Sequence, residues 1–158
     1  MTSQAFPIAA LVLAHDADPS RSLALAALVA TARDLGAAPV VVAAPPAIEL
    51  PATVRVARTR ESSSRIGAIR LGMAQLANTS AQVVLLWPHD APTASLVELL
   101  SMVDAAKRAP DVIVAFVGAP LDESPVLIPR DAWLELVTVG ENGLDALAAR
   151  RRVERVAR

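Results

Sequence analysis

Short apolar runs, each stopped by a breaker or a polar cluster, recur along the chain. Ile8 to Ala14, Pro39 to Ala43, Val83 to Trp87 and the segment Asp111 to Val117 all have this form. Such runs predict strands buried on both faces, as in the middle of a parallel sheet. The stretches between them predict helices. Arg21 to Leu35 is rich in Ala and Leu and closes at Gly36, with Ser20 placed to cap it. From about Arg65 to Ala77, residues Ile66, Ile69, Met73 and Leu76 fall on one helical face. Ser95 to Arg108 opens with Ser95 and Glu98 at the spacing of a capping box. Thr53 to Ala57 alternates and predicts a short strand nearer the sheet edge. Beyond Val117 the pattern changes. A loop from Gly118 to Ser124 leads to a short strand, Pro125 to Ile128, and Pro129 argues against a central parallel place for its end. Helices of about Asp131 to Val137 and Gly143 to Arg151 follow, split by the turn Gly140-Glu141-Asn142-Gly143, and the basic tail reads as a solvated helix end. Alternating strands and helices predict a three-layer α/β/α fold with a mostly parallel, Rossmann-like central sheet, in one domain over residues 1–158.

Composition narrows the function classes. Hydrophobic residues make up 54% of the 158, yet no apolar run approaches the roughly 18 residues of a membrane span. The start of the chain reads as a first strand and not as a signal peptide, so the expected location is the cytoplasm and no membrane partner is expected. The net charge of −1 leaves no electrostatic footprint for nucleic acid, and two tryptophans without a tyrosine make no stacking platform. The absence of cysteine excludes disulfides, thiolate metal sites and cysteine nucleophiles. Lys107 is the only lysine beside fourteen arginines, so most cationic chemistry falls to guanidinium groups.

Candidate chemistry sits where open α/β sheets collect ligands, beyond the carboxyl ends of the strands. Asp90 follows the run Val83 to Trp87 at such a place, where a metal or phosphate ligand is expected. The loop His15-Asp16-Ala17-Asp18-Pro19 follows the first strand in the same way. His15, Asp16, Asp18, His89 and Asp90 are therefore candidate metal ligands, with the three aspartates foremost for a hard cation such as Mg²⁺. Arg58, Arg60 and Arg65 flank a serine-rich loop and could hold an anion there.

Four stretches, in chain order, carry a family likeness. They are Ala10-Leu-Val-Leu-Ala14; Ser62-Ser-Ser-Arg-Ile-Gly-Ala-Ile-Arg-Leu-Gly72; Leu86-Trp-Pro-His-Asp-Ala-Pro92; and Ser124-Pro-Val-Leu-Ile-Pro129 with Gly140-Glu-Asn-Gly143. Together they resemble the MobA-like nucleotidyltransferases, which transfer NMP from GTP or CTP to molybdenum cofactor and related acceptors. The resemblance implies a nucleotide-diphospho-sugar-transferase type of sheet. It implies a CTP or GTP partner with Mg²⁺, Asp90 on the family's metal-binding aspartate, and Arg21, Ser64, Arg65 and Asp90 around the nucleotide. The departures are chemical. The family's glycine-rich first loop and its lysine are replaced by a glycine-free turn with two carboxylates and a proline, whose nearest cation is Arg21. The late segment that supplies the family's second metal carboxylate has no match. The expectation is a catalytically degenerate member with a residual nucleotide or anion pocket. Alternatives are an active, diverged nucleotidyltransferase in which Asp16 or Asp18 replaces the missing carboxylate, or a non-catalytic partner, as a homodimer or beside an active paralogue. Asp16-Ala-Asp18 also resembles the opening of haloacid-dehalogenase-like phosphatases, but Pro19 follows it and no acidic pair follows Lys107 at the end of a strand.

Overall fold

The computed structural model describes residues 6–61, 63–138 and 143–158. The strands are β1 (Ile8–Leu13), β2 (Ala37–Ala44), β3 (Arg55–Arg58), β4 (Val83–Pro88), β5 (Ile113–Phe116), β6 (Val126–Pro129) and β7 (Val153–Val156). The helices are α1 (Ser22–Asp34), α2 (Arg65–Leu76), α3 (Leu96–Arg108), α4 (Trp133–Thr138) and α5 (Gly143–Ala148). The strands form one seven-stranded sheet in the order β3-β2-β1-β4-β6-β5-β7. Every pairing is parallel except those of β6, which runs against both β4 and β5. The mostly parallel α/β sheet expected from the apolar runs is the one observed.

Alternation along the central strands sorts the core into two layers. Ile8, Ala10, Val12 and Ala14 join Val83, Leu85 and Trp87 beneath α1 and α3. Ala9, Leu11 and Leu13 join Val84 and Leu86 beneath α2, α4 and α5. Every residue of β1 and β4 is buried, which explains why these segments read as unbroken apolar runs. Gly72 lets α2 lie close on β1: a Cβ there would come within 2.2 Å of Leu11 Cδ1, and Leu11 is fully buried.

Local signals held at several ends. Ser95 and Glu98 form the reciprocal capping box of α3. Ser64 caps α2 by accepting from the Gly67 amide, and Gly36 takes a positive φ of 99° after α1. Pro129 closes β6 opposite Val83, at the end of an antiparallel strand, where its missing amide is tolerated.

Three expectations are corrected. Ser20 does not cap α1. Asp18 instead caps a one-turn 3₁₀ helix, Pro19–Arg21, and α1 begins behind it without a side-chain cap. The last helix stops at Ala148, short of Arg151. The basic tail is a strand and not a helix end: β7 runs parallel to β5 on the sheet edge, with Ile113 opposite Val153 and Phe116 opposite Val156. Its charges read as solvated because an edge strand presents half its positions to water. They nonetheless anchor it, since Arg155 donates to the carbonyls of Phe116 and Ala119, and Arg158 stacks on Phe116 and pairs with Glu98. Of the turn expected at Gly140–Gly143, residues 140–142 lie outside the described residues.

Two outcomes test this packing. Gly72→Ala is expected to destabilise the fold by about 1–3 kcal/mol in urea denaturation, because the new methyl has to displace a core leucine. Ser95→Ala is expected to cost about 1 kcal/mol in the same measurement through loss of the α3 cap.

Candidate functional site

The carboxyl ends of β1 and β4 stop side by side, with Leu13 opposite Pro88. The His89 amide donates to the Leu13 carbonyl at 2.9 Å, which extends the ladder by one more bond into the loops. His15-Asp16 and His89-Asp90 are thereby delivered to one place from two strands 75 positions apart in their aligned residues, Leu13 and Pro88. Ligand atoms of Asp16, His89 and Asp90 lie within 4.8 Å of one another.

The imidazole of His89 is held from both sides. Its ring is only 10% exposed, and Nε2 lies 2.9 Å from Asp16 Oδ1. Arg21 Nε donates to Nδ1 at 3.3 Å, and Arg21 Nη2 donates to the His89 carbonyl at 2.7 Å. An Nδ1 that accepts leaves the ring proton on Nε2, where it faces the carboxylate. In this arrangement His89 orients Asp16, while Asp16 and Asp90 remain as the oxygen donors for a hard cation. Two carboxylates at this separation repel unless a cation or hydrogen-bond donors lie between them. The donor set thus fits Mg²⁺ or Mn²⁺, which take one or two protein carboxylates and complete their shell with water or phosphate oxygens.

Asp18, the third aspartate expected at the metal, is spent elsewhere. Its Oδ1 accepts from the Ser20 amide at 2.9 Å and from the Ser20 hydroxyl, and these bonds hold its carboxyl below the usual range. Among the described residues the cluster contains Asp16, His89 and Asp90 without it. Three amides of the same turn are also spent. Ala17 donates to the Ala14 carbonyl and Arg21 to the Asp18 carbonyl, Ser20 donates to Asp18, and Pro19 has no N–H.

A second group lies on the α2 side of the edge. His15 follows β1, and burial holds its imidazole below the ordinary value. Asp16 and Asp90 oppose that shift, while the charges of Arg65 and His89 add to it. Arg65, the first residue of α2, places Nε 3.6 Å from Asp122 Oδ1, too far and unaligned for a hydrogen bond. Ser64 beside it is committed to its cap. Arg58 donates to the carbonyls of Pro45 and Ile48, which removes it from the anion-holding trio expected from the sequence. Asp122 sits on the turn after β5 and carried no weight in the sequence reading beyond its place in a polar loop. Its place beside Arg65 joins elements far apart in sequence, which the local pattern does not encode.

No protein-family model matches the chain, and no curated protein sequence does. Solved structures do resemble it. Rv0371c from Mycobacterium tuberculosis H37Rv, in complex with manganese, superposes with a TM-score of 0.73 at 19% identity, covering 96% of this chain and 88% of that one. A nucleotidyl transferase from Methanothermobacter gives a TM-score of 0.69 at 16% identity over 96% of this chain and 87% of that one. A CMP:2-keto-3-deoxy-manno-octonic acid synthetase complexed with CTP gives 0.59 at 12% identity over 96% and 90%. At these identities the likeness establishes the fold: a mostly parallel α/β sheet shared with nucleotidyltransferases.

Proposed function

We propose that the chain is a MobA-like nucleotidyltransferase domain, single over residues 1–158, that binds a nucleoside triphosphate, CTP or GTP, through a divalent cation held by Asp16 and Asp90. The observation that carries this reading is the convergence of those two carboxylates at the ends of adjacent parallel strands. The first structural relative was solved with manganese and another with CTP, which supports the same ligand pair. The cation would be Mg²⁺ or Mn²⁺. Bound there, it supplies positive charge that offsets the two carboxylates and the phosphate oxygens together.

The rest of the site argues for binding without transfer. Nucleotidyl transfer gathers charge on a departing pyrophosphate, and catalysis rests on donors aimed at that charge. The turn after β1 has spent the amides of Ala17, Ser20 and Arg21 internally, and Pro19 has none to offer. Arg21 is committed to His89 through two hydrogen bonds. Lys107 lies in the last turn of α3, whose N-terminus is the end that follows the loop of Asp90, so the helix carries the lysine away from the site. The protein's own residues accordingly bind and orient. His89 directs Asp16, Arg21 fixes the His89 loop, and Ser64 opens α2 beside Arg65.

A second reading, an active and diverged transferase, is favoured by one observation: a carboxylate oxygen of Asp16 lies within 4.8 Å of one of Asp90. Pyrophosphate release separates the two. For the binding reading, CTP or GTP with Mn²⁺ is expected to bind in calorimetry while the purified chain releases no pyrophosphate. Asp16→Asn and Asp90→Asn are each expected to weaken metal-dependent nucleotide binding about tenfold or more. Asp18→Asn keeps its cap and is expected to leave that affinity unchanged. Steady pyrophosphate release from the wild-type chain would establish the second reading, and absence of nucleotide binding with either metal would end both.

A further inference from the structure

Polar atoms sealed from solvent without a hydrogen-bond partner are rare in folded proteins and call for an explanation. Here several gather at the carboxyl edge: His15 Nδ1, Thr59 Oγ1, Nε and Nη2 of Arg65, and Asp122 Oδ1. Thr59 follows β3 and is 2% exposed, with its amide bound to the Ala44 carbonyl and its hydroxyl left over. The most costly members are the charged ones. A guanidinium with two sealed, unmade donors loses hydration without replacement, and a carboxylate at 3.6 Å that accepts neither returns only part of that loss. The pair is not a tail-to-tail surface contact. It links the start of α2 to the turn Leu121–Glu123 that leads into β6. On the far side, a Cβ at Gly143 would lie 3.7 Å from Asp122 Oδ1, so the carboxylate is backed by the start of α5.

We infer that Arg65 is the group that receives a phosphoryl anion, and that Asp122 occupies its place while no ligand is bound. The inference rests on the nucleotide-binding reading for the identity of the anion, and it assigns the anion a receptor separate from the metal carboxylates. A phosphoryl group offers oxygens to both idle donors of Arg65, in the bidentate geometry that guanidinium groups favour and that Asp122 does not achieve. His15 Nδ1 is a further sealed atom beside this charge, and the positive field of Arg65 already acts on its ring. Asp122 thus competes with the ligand. Its removal frees the receptor, which is the opposite of what removal of a binding residue does.

The test uses the chain of residues 1–158, with EDTA present and inorganic pyrophosphate as the probe, so that no metal bridges the probe to the carboxylates. Binding is read by calorimetry. Asp122→Asn is expected to raise pyrophosphate affinity about fivefold, the upper end for release of an ion pair about a third exposed. Arg65→Gln is expected to lose pyrophosphate binding, and the double variant Arg65→Gln/Asp122→Asn is expected to show no gain. Asp122→Ser removes the charge by a second route where the Asn variant does not fold. A gain that survives in the double variant would mean a long-range charge effect and overturn the assignment. So would unchanged or weaker binding by both Asp122 variants. Failure here with Mn²⁺-dependent CTP binding intact would sink only this inference. A pyrophosphate gain in Asp122→Asn without any nucleotide binding would sink the nucleotide reading and leave Arg65 as an anion receptor.

Discussion

The in-register pairing of β1 with β4 is the constraint from which the site follows. Six consecutive residues of each strand face one another, from Ile8 with Val83 to Leu13 with Pro88, and all are buried. Side chains on a strand alternate faces with a period of two, so a slip of one residue would turn every core side chain of one strand into the wrong layer. Trp87 would leave the layer under α1 and α3, and Leu86 would leave the one under α2. Both layers are apolar, so the cost of that exchange is misfit of side-chain size, with Trp87 and Leu86 trading layers, and the register follows from core packing. The positions of Asp16 and Asp90 inherit it, because each lies within three residues of the last paired position of its strand.

Charge at this edge is balanced in two separate compartments. Asp16 and Asp90 face His89, which Arg21 holds from behind, while Asp122 faces Arg65 across the start of α2. The first compartment has more carboxylate than compensating donor, and the second has donors that its carboxylate fails to satisfy. A cation relieves the first deficit and an anion the second. In the reading proposed above, a metal–phosphate ligand carries both signs and would relieve both at once.

The strands that make the floor of the site were legible because they are buried on both faces, and burial on both faces writes itself as an unbroken apolar run. Asp90 and the turn after β1 were legible because they follow such runs. The capping box at Ser95 was legible because its two hydrogen bonds are local and need only the right residues three apart. What the sequence hid was what depends on distant partners. β7 is charged and half exposed, and only its pairing with β5 makes it a strand. Asp18 looked like its neighbour Asp16 until Pro19 and Ser20 set up the tight turn that its carboxylate caps. Asp122 became relevant only through the fold, because β5 runs in the direction of β4 and the turn after it comes to lie beside Arg65 at the start of α2.

One turn sets the geometry of Asp16 and the fate of the amides around it together. For Asp16 to reach His89, the chain leaving β1 bends at once, with the Ala17 amide returning to the Ala14 carbonyl. The Pro19–Arg21 turn then brings the Arg21 guanidinium beneath His89, and it is stabilised by Asp18 accepting from Ser20. The Ala17 and Ser20 bonds use amides that a phosphate-cradling loop would leave free, and the bend stays on negative φ, since no residue other than glycine takes a positive one among the described residues. A glycine-rich cradle needs the opposite condition, successive unspent amides turned toward an anion. The carboxylate that approaches Asp90 and the absent amide nest are therefore two results of a single backbone path. On that path a phosphate ligand, in the reading proposed above, would be held by side chains and a metal ion, and such binding depends on charge balance more than on backbone geometry.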